Sequence, residues 1–79
     1  MKIIKFKTNI IDDEMQGKIA PALDQEELIS KWNLDTQHED NILSVSGEEI
    51  TPEMVKKIIE AKGFWAEVIH IQAIGGHDL

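Results

Sequence analysis

Neither cysteine nor arginine occurs anywhere in the 79 residues. The first absence removes disulfides, thiolate metal sites and cysteine nucleophiles together. The second removes the guanidinium fork that grips phosphate and carboxylate in bidentate fashion. All eight positive charges are lysines, and fifteen acids leave a formal net charge of -7. An acidic chain of this kind is poorly suited to nucleic acid, and no nucleic-acid partner is expected. The acidity suits solubility, or a basic protein partner. Long apolar runs are also missing. None approaches the roughly 18 residues of a membrane helix, so no membrane association is expected. The stretch "MKIIKFKTN" interrupts its apolar residues with lysines, a strand pattern and not a signal peptide. The expected location is the cytoplasm.

What is present suffices for one small domain. A hydrophobic share of 42% is adequate for a core. A chain this short buries about 60–65% of its unfolded surface. "KIIKFKT" (2–8) alternates as a half-buried strand. Residues 13 to 24 carry Met15, Ile19 and Leu23 four apart, a helical stripe. "ISKWNLD" (29–35) and "ILSVS" (42–46) read as strands around the polar turn "QHEDN". "TPEMVKKIIEAKG" (51–63) is the clearest helix. Thr51 suits the N-cap, Pro52 the first helical position and Gly63 the stop. Its inner face is expected to hold Val55, Ile58, Ile59 and the stem of Lys62. "FWAEVIHI" (64–71) is the fourth strand.

The order βαββαβ predicts an α+β, ferredoxin-like sandwich: a four-stranded antiparallel sheet, order 4-1-3-2, with both helices on one face. Residues 1–71 form the expected domain, and 72–79 a flexible tail. Ile4, Phe6, Trp32, Leu34, Leu43, Val45, Phe64, Ala66 and Val68 are expected to face the helices.

This architecture hosts many functions, so local chemistry must decide among them. RNA-recognition modules stack bases on aromatics of the central strands. Here "ILSVS" has no aromatic and Phe6 points inward. Acyl-phosphate hydrolysis on this fold needs a strong fixed cation, and there is no arginine. No nucleophile–base pair is evident, so no enzymatic activity is expected.

The stretches "KIIKFKTNI", "KIAPAL", "KWNLD", "ILSVSG" and "IIEAKGFWAEVI" resemble, in order and spacing, the heavy-metal-associated domain of copper chaperones and metal-pumping ATPases. The resemblance covers nearly the whole run from Met1 to Ile69. It implies a pair of cysteines three apart in the loop after the first strand, binding a soft metal. Those positions fall on Asp12 and Met15. An aspartate is hard, and a lone thioether is soft but neutral, so the pair suits no single class of metal. Asp13 and Glu14 add carboxylates without the glycine-turn spacing of a calcium loop. The bland reading is a helix cap, Asp13 with Gln16 as a capping box, followed by a core methionine. No cofactor is expected. Asp12 and Met15 remain the weak metal candidates.

Pro21 falls well inside the first helix, where it deletes the bond to the carbonyl of Gly17. A kink near residues 17 to 21, or a split helix, is expected. His38, His70 and His77 have no helical partners and read as surface residues. Ile3, Trp65 and Ile69 are left facing away from the helices, a candidate contact surface for a protein partner or a second copy beside Lys5 and Lys7. The alternative is that the end of the chain, with Ile71 and Ile74, covers it. Together these readings describe a non-catalytic binding or regulatory module related to metal transport. The second reading is a metal-handling protein with an altered site at Asp12 and Met15.

Overall fold

The alternation of residues 2–8 becomes β1 (Lys2–Thr8), in which Ile4, Phe6 and Thr8 are buried and Lys5 and Lys7 exposed. The computed structural model describes residues 1–73. The elements that follow are α1 (Asp13–Gln25), β2 (Lys31–Asp35), β3 (Ile42–Gly47), α2 (Pro52–Ala61) and β4 (Ala66–Ala73). The sheet runs in the order β2-β3-β1-β4 with every pairing antiparallel. The ferredoxin-like arrangement predicted by the element order is the one formed.

Phe6 lies opposite Leu43, and Ile4 opposite Val45. All four are fully buried, against Ile19 and Leu23 of α1 and Val55 and Ile59 of α2. Removing such side chains from water contributes roughly 1.5–3 kcal/mol each. Two further fully buried residues come from loops. Ile10 continues the alternation of β1 past its end, and Ile50 precedes the α2 cap. Ile50 and Val55 occupy the N′ and N4 positions of a hydrophobic staple, fixing how the chain enters α2. Gly47 is required by space: a Cβ there would overlap the carbonyl oxygen of Leu28.

Several boundaries and faces differ from the sequence expectation, each for a physical reason. Thr51 caps α2 by accepting from the Met54 amide at 3.2 Å, as expected. The closure of α2 after Ala61, however, uses residues through Phe64. Gly63, at φ 89, donates to the Glu60 carbonyl, and Phe64 donates to that of Ile59. This paired closure is a Schellman motif, with Phe64 packed on the same core as Ile59. Residues 64 and 65 are therefore used in ending the helix, and β4 starts at Ala66 and runs to Ala73. Lys62 is exposed at the C-cap, not laid along the inner face. Val68 shares the face of Phe6 but is 38% exposed, because β4 is the outermost strand. Trp32 and Leu34, on the opposite outer strand, are half-buried. Ile29 and Ser30 turn into β2 without joining it, held by bonds to the Glu26 and Ser46 carbonyls.

α1 is a single helix that continues through Pro21 and is not split there. Pro21 is exposed, so its ring occupies the solvent side, and Gly17 four residues back has open space around it. The missing bond is then isolated, while Ile19 and Leu23 stay anchored in the core. Of the expected tail 72–79, Gln72 and Ala73 belong to β4, opposite Ile3 and Lys2, because pairing with β1 continues to its first residues; residues 74–79, with Ile74 and His77, lie outside the described residues.

The core makes a direct prediction. Phe6→Ala should destabilise the fold by ~3–5 kcal/mol in urea denaturation, the range for truncating a buried aromatic. A change below about 1 kcal/mol would mean that Phe6 is not at the centre of the core.

Candidate functional site

The loop between β1 and α1 is where the resemblance implies a metal. It is positioned from both ends. The Thr8 hydroxyl donates to the Asn41 carbonyl at 2.7 Å and accepts from the Ile10 amide at 3.2 Å. The Asn9 side-chain carbonyl accepts from the Trp65 amide at 3.0 Å, tying the loop to the start of β4. Burial of Ile10 then fixes where the chain turns toward α1.

Asp12 is the N-cap of α1, with extended backbone at φ -149 and ψ 175. Its carboxylate accepts from the Met15 amide at 2.9 Å, and its carbonyl accepts from that of Gln16 at 3.0 Å. This corrects the expected capping box. Asp13 is the first helical residue, so Gln16 lies at the fourth position, too far along to reach back. Both aspartates are competent caps. Use of Asp12 places Asp13 and Glu14 in the first turn, at the positive end of the helix dipole. Met15 is half-buried and packs on the core cluster that includes Ile19 and Leu23.

The two candidate positions are thus brought together by a side-chain-to-backbone bond, with one carboxylate oxygen and one thioether already in structural roles. That donor set does not fit a soft metal. No group of three or more His, Asp or Glu side chains converges on a common point among the described residues. The His38 Nδ1 accepts from the Asp40 amide at 3.0 Å, which closes its turn. His70 is exposed on β4, opposite Lys5.

The open sheet face holds a shallow depression of about 490 Å³, where Ile69 lies with Lys5, Asn33, Asp35, His38 and Ser44. Ile3 lines a separate, smaller hollow with Lys31, Asn33, Ser44 and Ser46. Trp65 is 43% exposed and Ile69 50%, whereas Ile3 is half-buried. Ile3 lies opposite Gln72, seven positions along the chain from Trp65. At roughly 3.3 Å per residue the two are on the order of 20 Å apart, so the three side chains form a line and not a single knot.

The cap makes the loop testable without any metal. Asp12→Ala should cost about 0.5–2 kcal/mol in chemical denaturation. Asp13→Ala, which removes only a dipole contribution, should cost less, about 0.3–1 kcal/mol. The reverse ranking would place the cap at Asp13.

No protein-family model matches this sequence, and no curated protein matches it. Solved structures do. A copper-binding domain from HMA7, a P-type ATPase, superposes with a TM-score of 0.79 at 20% identity, covering 92% of this chain and 100% of that one. The yeast copper transporter domain Ccc2a, determined in apo and Cu(I)-loaded states, gives 0.74 at 18%, covering 89% and 97%. The CsoZ metallochaperone gives 0.69 at 16%, covering 89% and 100%. At these identities the likeness is one of fold, and the shared fold is the ferredoxin-like sandwich.

Proposed function

We propose that this chain is a heavy-metal-associated-like domain without the thiolate metal site, acting as a non-catalytic binding or regulatory module related to metal transport. One observation carries this reading. In a fold shared with copper-binding domains, the two positions that the family resemblance assigns to metal ligands are instead a helix cap and a core contact. Cu(I) is held by soft anionic sulfur, and a carboxylate is a poor substitute. The residues through the end of β4 at Ala73 supply the working unit. The contact surface in this reading is the one formed by Ile3, Trp65 and Ile69, of which Trp65 and Ile69 are exposed.

The second reading keeps a weakened site at Asp12 and Met15. It is favoured by the proximity of these two residues at the start of α1.

Competition against a Cu(I) chelator separates the two. The natural chain should leave the chelator loaded. The double variant Asp12→Cys with Met15→Cys should withdraw Cu(I), because Thr8, Asn9 and Ile10 still shape the loop. Stoichiometric Cu(I) capture by the natural chain would support the second reading. Failure of a folded double variant to bind would remove the positional match with the family's ligands.

A further inference from the structure

The two outer edges of the sheet are built differently. β2 is five residues long, and its exposed positions carry Lys31, Asn33 and Asp35. Short length and charge are the usual protections of an edge strand. β4 is eight residues long and contains neither lysine nor proline. Its ionisable residues are Glu67 and His70, and Val68, Ile69 and Ile71 are 38%, 50% and 51% exposed. Among the described residues, no strand pairs with its outer side.

β4 also carries a bulge. Thr8 and Phe6 of β1 lie opposite Ala66 and Val68, but Lys5 and Ile4 lie opposite His70 and Ile71, leaving Ile69 as the extra residue. Cross-strand partners share a face. Ala66, Val68 and Ile71 therefore lie on the helix side of the sheet, and Glu67, His70 and Gln72 on the open side. A bulge in an edge strand disturbs pairing with any regular strand. It does not disturb pairing with a second copy, which carries the same irregularity at the same place.

We infer that β4 is the contact edge of a two-fold dimer, pairing antiparallel with β4 of a second copy to form one continuous sheet. The change of side at Ile69 restricts the register. Residues match faces when Ala66 lies opposite Ile71 and Glu67 opposite His70, or when Glu67 lies opposite Gln72 and Val68 opposite Ile71. In both, Glu67 of one copy is directly opposite or diagonal to His70 of the other, on the open side. Opposite or diagonal neighbours at such spacing interact. In the first, Val68 and Ile69 of both copies fill the centre of the seam; in the second, Ile69 and His70 lie at the centre with Val68 opposite Ile71 on either side. The assembly closes at two copies, because each β4 edge is then used and the remaining edges are the protected β2 strands.

Sedimentation of the full chain from micromolar to millimolar concentration tests this. The expected result is a reversible shift from the 9.0 kDa monomer toward twice that mass. Ile71→Lys and Val68→Lys, at exposed helix-side positions, should each abolish the shift with unchanged circular dichroism. Leu28→Lys, an exposed position next to the opposite edge, should leave it intact. A monomer at every concentration, open-ended assembly, or a dimer that survives both β4 lysines would overturn the inference. Loss of the dimer in Trp65→Ser together with its survival in Ile71→Lys would assign association to the open face instead.

Discussion

β1 is hydrogen-bonded along both edges, to β3 and to β4, and its alternation sets the face of every strand around it. A slip of one residue would send Ile4 and Phe6 to solvent and draw Lys5 and Lys7 into the core. Thr8 ends this series as the buried polar member, 3% exposed. Its hydroxyl is satisfied in both directions, by Asn41 and by Ile10, and its amide donates to the Asp40 carbonyl. Asn41 adopts a positive φ of 51, which asparagine tolerates better than most residues. The far end of β1 is thereby locked to the turn before β3. Ile10 then re-enters the core.

These contacts separate the shape of the β1–α1 loop from its chemistry. Thr8, Asn9 and Ile10 hold the loop through bonds and burial that involve neither Asp12 nor Met15 as ligands. The helix start needs only a capping side chain at residue 12, and any of several short polar residues supplies one. Position 15 needs only a side chain that covers part of the core. A scaffold arranged in this way keeps its fold while the two residues at the tip change character. That is why likeness in fold to copper-binding domains and the absence of soft anionic ligands occur here in one molecule.

How legible each feature is in the sequence depends on how local its cause is. Thr51, Pro52 and Gly63 can be read at sight because caps and stops are decided within one turn of helix. The alternation of β1 and β3 is equally plain, since both are central strands with one buried face. Asp12 and Asp13 are chemically equivalent caps, and only the position of the chain leaving Ile10 selects the first. Phe64 fits a strand pattern, but a contact with Ile59 across the helix end takes precedence. Ile10 and Ile50 lie in loops, outside any periodic segment, although the spacing from Phe6 through Thr8 to Ile10 is a usable signal. The bulge at Ile69 leaves no mark in the sequence, because it arises from the register with β1. Asp12 and Met15 could be singled out in the sequence, but not the bond between them.

Charge distribution bears on the open face of the sheet and on its two outer edges. Two copies at -7 each repel at long range, with screening over about 8 Å at physiological ionic strength. The surplus of acid is not spread evenly. It lies in the first turn of α1, in the stretches 24–27 and 35–40, and at residues 48, 49 and 53. β4 carries a single acid, Glu67, and places it on the side of the sheet where Lys5, Lys7 and His70 also lie. The exposed apolar residues Val68, Ile69 and Ile71 are therefore on the strand where like-charge repulsion is weakest. On the opposite edge, Asp35 and Lys31 flank a five-residue strand, and the indole of Trp32 is held to Asp24 of α1 at 2.8 Å. One side of the molecule is thus closed by charge and by a side-chain clamp, and the other presents backbone and apolar surface.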